Sequence, residues 1–504
     1  MNLRIRSGGH DFEGLSYVSY INFVLLDMSN LRSINVNIEE ETATVQVGAI
    51  LGELYYKIWE KSKVHAFPAG VCPTVGIGGH ISGGGYGVLM RKYGLTVDNV
   101  IDATIVDVKG RVLNRTSMGE DLFWAIRGGG GASFGVILAY KLKLVRVPDI
   151  VTVFRVSKTL GQNATDIVHR MQYVTDKIDR DLFIRLNLNL DNTTNTMEAT
   201  FTAFFLGDSE RLVSLMNIGF PELDIQKPDC KEMSWLKSVL FWWSNVNESV
   251  ETLLERSSLP GNSKLKSDYL QNLISRDGIE SLWQKMVELK VVGLAFNPYG
   301  GRMSEIGDSE TPFPHRKGNI FKIQYIVLWD EDGAKAEEYY MNQIRVLHEF
   351  MTPFVSKDPR GAYQNYRDLD IGTSVVGNNS YIDGKVYGEK YFKGNFDRLV
   401  KVKRMVDGDN FFTHEQMFSE RGGEVGGGND NGGGKRRDVQ QERKRGNLLG
   451  SRPTEEAARG ELGREVVAVC GGVGVSASVK HDEEDGDDEH GEAQGGLVRR
   501  QRLT

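Results

Sequence analysis

Few cysteines and no long apolar run are present in this sequence. Its 504 residues include only Cys72, Cys230 and Cys470, which excludes a disulfide scaffold and any zinc site with four cysteine ligands. No run reaches the roughly 18 apolar residues of a membrane-spanning helix. The opening MNLRIRSGGH lacks the apolar core of a signal peptide. The histidines include no H-x-x-x-H or comparable pair, so a transition-metal enzyme is the weakest interpretation.

The sequence also lacks an excess of basic charge. Its net charge is −7 and its pI is about 5.8, which argues against a nucleic acid as partner. Hydrophobic residues make up 40% of the chain and the mean hydropathy is −0.34. These values are typical of a soluble globular protein that is long enough for two or three domains.

Glycine, in contrast, is abundant, and its distribution divides the chain. Most of the 58 glycines lie in short clusters before residue 150 or in the segment after residue 420. The C-terminal segment has no aromatic residue after Phe418, and its charges come in blocks such as DEEDGDDE. Such a composition cannot bury enough apolar surface to offset the entropy of ordering. We therefore expect 417–504 to be a low-complexity, disordered tail, with an acidic or basic interaction tail as the alternative.

The remaining sequence predicts an α+β fold with two lobes. In 1–149, short apolar strands alternate with helices, and glycine-containing turns separate them. Longer strands with alternating polarity follow, such as those at 182–191 and 197–207, and a helix is expected across 331–351. Alternating polarity is typical of an antiparallel sheet that is covered on one face.

Three glycine-rich turns dominate the first lobe, at 4–14, 70–87 and 127–135. Consecutive glycines let backbone N–H groups surround an anion, and a pyrophosphate is the commonest such guest. The first lobe has no G-x-G-x-x-G, and no G-x-x-x-x-G-K-[ST] occurs anywhere, which excludes the Rossmann and P-loop interpretations. Ordinary glycine-rich surface turns are the alternative. Two of the turns carry a reactive side chain, His10 or Cys72.

The segments RIRSGGHDFEGLSY (4–17) and FPAGVCPTVGIGGHISGGGYG (67–87) closely resemble the berberine bridge enzyme-like proteins. These plant flavoenzymes belong to the vanillyl-alcohol oxidase superfamily. The resemblance extends over essentially all of 1–416. Further matching segments are NPYGGRMSEI (297–306), FPHRKGNIFKIQY (313–325), YQNYRDLDIG (363–372) and YFKGNFDRLVKVKRMVDGDNFFTHEQ (391–416).

The resemblance implies a two-lobed flavoprotein fold. The FAD-binding domain would occupy 1–149 and would be incomplete at its N-terminus. A substrate domain with an antiparallel sheet and helices would span 150–365. A berberine-like segment, 366–416, would return to the FAD-binding domain.

FAD is the implied cofactor, and the family attaches it to the protein twice. By resemblance, His10 bonds the 8α-methyl group of the flavin and Cys72 bonds ring carbon C6. Such tethers raise the reduction potential of a flavin, as covalent substitution tunes a cofactor. The other cofactor-binding positions implied are Arg6, Ser7, Gly8, Gly9, Val75, Gly78, Gly79, His80, Gly83, Gly84, Gly85, Val136 and Asn410.

Hydride transfer from an alcohol also needs a base for the hydroxyl proton. A tyrosine, with a pKa of about 10 in water, serves only if a nearby cation favours the phenolate. Lys322 and Gln324 share one face of the predicted strand 319–329, since they are two residues apart. The resemblance places them beside Tyr366, and we expect Tyr366 to be the base, Lys322 its activator and Gln324 a substrate-orienting amide. Without the resemblance, a solvated Lys–Tyr pair is the ordinary alternative.

Three further positions bear on chemistry and substrate. Tyr86 resembles an active-site tyrosine of the family, whereas Phe12 stands where many members carry another tyrosine, which leaves the substrate in doubt. Val75 matches the position that controls oxygen access, where a valine leaves room for O₂. It therefore implies an oxidase that makes H₂O₂. A glutamate base of the alkaloid-cyclising branch is absent from the strand of Lys322, which argues against ring closure.

The expected partners are O₂ and a small-molecule alcohol, either a monolignol-type allylic alcohol or a cell-wall oligosaccharide oxidised at C1. No nucleic acid or membrane is expected, and the protein is expected to be a monomer. Secretion to the apoplast or cell wall is implied by the family. Five N-x-[ST] sequons fit a secreted glycoprotein: Asn114, Asn163, Asn192, Asn247 and Asn378.

Family members carry a signal peptide and further strands before the segment that matches RIRSGGH. This sequence begins within that strand, and an atypical tail replaces the usual short end, so a mispredicted gene model is expected. The alternative function is therefore a non-catalytic, truncated glycoprotein that does not retain FAD. The flavin absorbance of the purified protein distinguishes the two.

Overall fold

The computed structural model describes residues 2–191, 196–244, 246–256, 261–374 and 380–418. The predicted tail from residue 419 onward lies outside these ranges, and so do the sequons at Asn192 and Asn378.

The first lobe is built around a small antiparallel sheet. Its five strands run in the order β3-β4-β8-β6-β7, β1 pairs with β2 in parallel, and β5 pairs with β9. The helices cover the sheet and bury its apolar face. The elements are β1 (Asn2–Arg6), β2 (Phe23–Asp27), β3 (Ile34–Asn37), β4 (Thr42–Gln46), α1 (Leu51–Lys61), β5 (His65–Ala66), α2 (Ile77–Ser82), α3 (Met90–Tyr93), β6 (Val100–Val106), β7 (Val112–Leu113), α4 (Arg115–Ala125), β8 (Val136–Lys143) and β9 (Val145–Arg146).

The second lobe is a seven-stranded sheet with helices on one face. Every pairing in the order β13-β10-β12-β11-β15-β16-β14 is antiparallel, which confirms the predicted α+β class and its antiparallel sheet. The elements are β10 (Val151–Thr159), α5 (Ala164–Val174), β11 (Leu182–Asp191), β12 (Thr196–Phe205), α6 (Ser209–Gly219), β13 (Lys231–Met233), α7 (Trp235–Trp243), β14 (Asn262–Leu270), α8 (Arg276–Leu289), β15 (Gly293–Pro298), β16 (Phe321–Trp329) and α9 (Ala334–Phe350), followed by α10 (Tyr381–Phe392) and α11 (Phe396–Val406).

The alternation along β11 explains how the sheet serves two purposes. Ile184, Leu186 and Leu188 belong to the core that includes residues of α5 and α8. Since side chains alternate across a strand, Arg185 and Asn187 lie on the opposite face. That face looks toward the first lobe, so polar side chains of the sheet reach the space between the lobes.

The C-terminal segment packs back onto the first lobe. Arg4 of β1 bonds Glu415 at 2.7 Å, and both side chains are buried. The Phe418 ring lies 6.4 Å from that of Phe134 in the first lobe and 5.3 Å from that of Phe396. Met417 and Phe418 are both buried, so the packed fold extends two residues past the expected boundary at 416.

Candidate active site

A deep cleft lies where the first lobe, the sheet of the second lobe and the C-terminal segment meet. It encloses about 1570 Å³, including its open mouth. Eleven of the residues predicted from the sequence line it: Ser7, Gly8, Gly9, His10, Cys72, Val75, Gly78, Gly79, His80, Tyr86 and Tyr366.

Close approach of two glycine turns forms one wall of the cleft. A Cβ on Gly8 would lie 2.3 Å from the backbone nitrogen of Gly76, so only glycines allow the turns to touch. The Ser7 hydroxyl accepts from the Gly78 N–H at 3.3 Å and donates to the Val47 carbonyl at 2.5 Å. A Cβ on Gly79 would meet no atom within 4 Å, which leaves open space beside that backbone. This wall suits a ligand that contacts backbone N–H groups.

His10 and Cys72 stand on the same wall and share a neighbour. Nε2 of His10 lies 3.0 Å from the Thr74 hydroxyl, and Sγ of Cys72 lies 3.5 Å from the same hydroxyl. Burial lowers the pKa of His10, which favours the neutral imidazole. Thr74 thus holds the two predicted attachment residues side by side.

The triplet Gly83, Gly84 and Gly85, expected to bind the cofactor, does not line the cleft. A Cβ on Gly83 would lie 2.0 Å from Oδ1 of Asn365, and one on Gly85 would lie 2.5 Å from Oγ1 of Thr96. Here the glycines permit tight packing beneath the site, because any side chain would displace its neighbours.

Arg6, Val136 and Asn410 also lie outside the lining residues. Arg6 forms an ion pair with Asp27 at a partly exposed edge. Val136 pairs with Val106 inside the five-stranded sheet. Nδ2 of Asn410 lies 3.5 Å from Oγ1 of Thr413, which does line the cleft. Their assignment as cofactor-binding residues therefore stays a prediction.

The other end of the cleft carries a chain of hydroxyl and amide groups. The Tyr366 hydroxyl donates to Oε1 of Gln324 at 2.9 Å and makes a short hydrogen bond with the Tyr86 hydroxyl. A phenol has one proton, so Tyr86 donates to Tyr366 when Tyr366 donates to Gln324. Nε2 of Gln324 is buried and has no hydrogen-bond partner among the described residues. Tyr366 and Gln324 are themselves buried.

Lys322 lies above the tyrosines. Its Nζ is 2.8 Å from the ring centroid of Tyr86, 4.1 Å from that of Tyr363 and 4.6 Å from that of Tyr366. Burial lowers the pKa of Lys322 well below its usual value, and the charge of Arg185 lowers it further. The charged form of Lys322 is therefore unfavourable here unless a negative charge forms beside it.

The electrostatics differ from the expectation that Lys322 lowers the pKa of Tyr366. Burial raises the pKa of Tyr366 well above its usual value, and the neighbouring Tyr86 raises it further. The cation that acts in the opposite direction is Arg185. The reason is that Lys322 is itself driven toward the neutral amine, and a neutral amine does not favour a phenolate.

Sequence reasoning missed several residues of this site. Arg185 lines the cleft, and its Nε donates to Oδ1 of Asn297 at 2.7 Å. The Tyr363 hydroxyl accepts from the Gly85 N–H at 3.0 Å, and Asn365 donates to the His80 carbonyl at 2.8 Å. The alternation of 182–191 was the available signal for Arg185, since it placed this arginine opposite the apolar face.

His80 has a structural role, because it holds a neighbouring turn in place. Its Nε2 accepts from the Gly70 N–H at 3.2 Å. Burial, followed by the charge of Lys322, lowers its pKa to about 3. His80 is therefore a neutral acceptor that fixes the turn before Cys72.

The residues present fit a long cofactor such as FAD. The cleft offers glycine backbone and the His10–Cys72 wall, together with the hydrogen-bonded hydroxyls of Tyr86 and Tyr366. Within the described ranges, no three His, Cys, Asp or Glu side chains form a group that could hold a metal ion. Among the described helices, none is both long enough and apolar enough to cross a membrane.

Comparisons with known proteins agree with this geometry. The FAD binding domain family model matches residues 1–116, and the berberine and berberine-like model matches 362–417. The chain is 57% identical over 420 residues to berberine bridge enzyme-like 21 of Arabidopsis thaliana, which covers 82% of this chain and 78% of the relative.

Solved structures are similar over the same range. BBE-like #28 from Arabidopsis thaliana superposes with a TM-score of 0.81 at 48% identity, covering 83% of this chain and 87% of that one. Phl p 4, a grass pollen allergen with glucose dehydrogenase activity, has a TM-score of 0.80 at 42% identity, covering 83% and 85%. An isoleucine-to-valine variant of Phl p 4 is described as a glucose oxidase.

Proposed function

This chain belongs to the berberine bridge enzyme-like family of FAD-binding oxidoreductases, and from that premise we propose that it is an oxidase of alcohol carbons. The cleft would hold FAD, which would supply a hydride acceptor that O₂ can reoxidise with release of H₂O₂. The hydrogen-bonded series Tyr86–Tyr366–Gln324 beneath Lys322 carries the proposal, since it supplies a proton acceptor at one end of the cleft.

Tyr86 is the better candidate for the base. It lines the cleft, and Lys322 lies closer to its ring than to any other tyrosine. A phenolate at Tyr86 would offset the cost of burying the Lys322 ammonium, so the two charges form together. Tyr366, whose pKa is raised by burial, is then the hydrogen-bond partner of the base.

Gln324 would adjust to the charge of the tyrosines. When Tyr86 is a phenol, Tyr366 donates to Oε1 of Gln324. When Tyr86 becomes a phenolate, Tyr366 turns its proton toward Tyr86, and Oε1 loses its donor. A half-turn of the amide places the unpartnered Nε2 against Tyr366, which restores a hydrogen bond. The amide thereby stabilises both protonation states.

A carbohydrate oxidised at C1 is the favoured substrate. Asn187 and Arg185 lie on the sheet face toward the first lobe, and Thr200 and Thr202 are their neighbours on β12. Asn187 presents a buried oxygen without a hydrogen-bond partner among the described residues. Arg185, which lines the cleft, would give a substrate with many hydroxyls a charged donor, because each substrate hydroxyl needs a partner once it is buried. The glucose-oxidising activity named for Phl p 4 supports the same class.

An allylic aromatic alcohol is the second candidate, and a different observation favours it. The rings of Phe12 and Tyr366 are 5.5 Å apart, and those of Tyr86 and Tyr366 are 6.1 Å apart. Such an aromatic wall suits a planar ring that stacks or packs edge-on. Parallel assays with cello-oligosaccharides and with coniferyl alcohol would separate the two candidates.

The proposal includes two covalent attachments of FAD, at His10 and Cys72. Thr74 engages Nε2 of His10, and a bond at Nδ1 would leave that hydrogen bond in place. A thioether would form at the Cys72 sulfur, which lies 3.5 Å from the same Thr74 hydroxyl.

Acid precipitation tests the cofactor proposal. We expect yellow protein whose flavin stays with the acid-precipitated chain, and only the double variant His10→Ala, Cys72→Ala should release it. The single variants should each retain it through the other bond. A colourless wild-type protein would contradict the proposal and favour the non-catalytic alternative. Release of flavin from the wild type would contradict covalent attachment alone.

We also propose that the protein is secreted and glycosylated. The sequon residues Asn114 and Asn163 are exposed. Oδ1 of Asn114 accepts from the Ser117 N–H at 3.0 Å as a helix cap, so a glycan on Nδ2 would leave the cap intact. Expression in a plant secretory system followed by glycosidase treatment should shift the mass of the protein. An unchanged mass would exclude glycosylation.

A further inference from the structure

A second group of charged side chains lies beside the active site, and its central members are buried. It consists of six residues that alternate in sign, and we refer to it as the charge ladder: Glu13, Lys264, Asp368, Lys266, Asp370 and Arg345. The ladder joins four parts of the fold. Glu13 follows the turn of His10, the two lysines belong to β14, the two aspartates follow Tyr366, and the arginine belongs to α9.

Asp368 is the central member of the ladder. Its Oδ1 accepts from Lys264 at 2.9 Å, and its Oδ2 accepts from Lys266 at 2.6 Å. The two lysines reach the same carboxylate because they are two residues apart on one strand. Side chains of all three residues are about 3% exposed. These charges are therefore removed from water and depend on one another.

The ends of the ladder hold the two loops together. Lys264 also bonds Glu13, and Oε1 of Glu13 accepts the backbone N–H of Leu369 at 2.9 Å. At the other end, Lys266 bonds Asp370 at 2.9 Å, and Arg345 bonds it at 2.7 Å. Three positive and three negative side chains thus face one another, so the group carries no formal net charge.

Stability alone is a weak explanation for such a group. Removing charges from water costs several kcal/mol per ion, and apolar residues of similar volume are often as stable or more stable. What a buried network does supply is one defined arrangement, since any slip leaves a buried charge unpaired. Burial opposes the ammonium of Lys264, yet Asp368 and Glu13 hold its pKa above the usual value. Lys264 therefore keeps its ammonium beside these two carboxylates.

We propose that the charge ladder is a positioning device for the active site. It fixes the loop of Tyr366 against the loop of His10 and Phe12, and it does so from two residues beyond Tyr366 and three residues beyond His10. The result is the ring contact of 5.5 Å between Phe12 and Tyr366 and the hydroxyl contact between Tyr366 and Tyr86. Asp368 and Lys264 are thus positioning residues. This role rests on the proposed function of the tyrosine pair.

A spectroscopic test needs no substrate. 3-Fluorotyrosine is placed at position 366 in the full chain, and its ¹⁹F resonance is recorded. Asp368→Asn keeps the shape of the side chain and removes its charge. We expect the resonance to shift or split, because the loop then samples more than one position. Asp98→Asn is the matched control, since Asp98 forms a buried pair with Arg316 at 2.7 Å and hydrogen-bonds neither loop.

An unchanged resonance in Asp368→Asn would overturn the proposal, and so would an equal change in the control. If Asp368→Asn does not fold, Arg345→Gln at the partly exposed end provides the test, and a smaller shift in the same resonance is expected. No shift in that variant would overturn the proposal as well.

Kinetics give a second readout. With an alcohol that the wild type oxidises, Asp368→Asn should lower kcat about tenfold while KM changes less than about threefold, as expected when only the reacting geometry is lost. Asp98→Asn should keep kcat at a similar loss of thermal stability. Equal losses of kcat would overturn the positioning role. A wild type that oxidises no alcohol would instead contradict the proposed function, and the ¹⁹F result would still decide the role of the ladder.

Discussion

The hydroxyl of Tyr366 donates to Oε1 of Gln324 at 2.9 Å, so its oxygen receives the proton of Tyr86. This direction places the more accessible tyrosine at the start of the series and the buried one behind it. It also implies that the two tyrosines contribute unequally to proton removal from a substrate.

Removing each hydroxyl in turn tests that inequality. Tyr86→Phe should slow flavin reduction by roughly 10²–10⁴-fold, the scale of a lost general base. Tyr366→Phe should slow it by about tenfold, the scale of one hydrogen bond. Stopped-flow absorbance at the flavin band measures both. The opposite order of effects would assign the base to Tyr366.

Lys322→Met should alter how stability depends on pH. Burial lowers the pKa of Lys322 in the folded protein, so the unfolded chain binds more protons between that value and the usual one near 10.5. The free energy of unfolding of the wild type therefore increases as pH rises through this window. Below the window, the buried ammonium of Lys322 lowers it. Relative to Lys322→Met, the free energy of unfolding of the wild type should increase between pH 7 and pH 10. Parallel curves in denaturant titrations across that range would contradict the pKa shift.

Val75→Leu should weaken the reaction with oxygen. Val75 lines the cleft, and one added methylene is felt in a packed site. We expect reoxidation of the reduced enzyme by O₂ to slow by about tenfold, or about 1.4 kcal/mol, with little effect on reduction. Val71→Leu adds the same group elsewhere in the cleft and should reoxidise normally. Equal rates of reoxidation in the wild type and both variants would show that Val75 does not control the access of oxygen.

Two glycine substitutions should separate binding from packing. Gly79→Ala adds a methyl group where no atom lies within 4 Å, so the melting temperature of the flavin-free protein should stay near the wild-type value while flavin incorporation falls. Gly83→Ala forces Asn365 away from its place and should cost about 1–3 kcal/mol of stability, as overpacking does. If Gly79→Ala incorporates flavin fully, that part of the wall does not contact the cofactor.

Local patterns were enough to predict much of the fold. The alternation in 182–191 appears in the structure as β11 over the same residues, and the helix expected across 331–351 is α9. Such patterns depend only on which side chains face the core, and neighbouring residues settle that question. Family resemblance supplied the superfamily fold and the FAD-binding assignment, which the comparisons confirm.

Electrostatics within the site escaped prediction for a physical reason. The pKa values of Tyr366 and Lys322 depend on burial by segments that lie far apart in the chain, and on Arg185, which no motif marks. Similarly, a glycine that faces a ligand and one that packs against Asn365 look identical in a sequence. Only the path of the neighbouring backbone distinguishes them.

The tie between Arg4 and Glu415 spans 411 residues, and it has a consequence for synthesis on the ribosome. A growing chain can complete the first lobe early, yet the cleft stays half-built until the last described residues emerge. Contacts so distant in sequence form slowly, because the loop between them must close first. A chain that stalls before Glu415 would already carry the strands of both lobes and would still be unable to enclose a ligand.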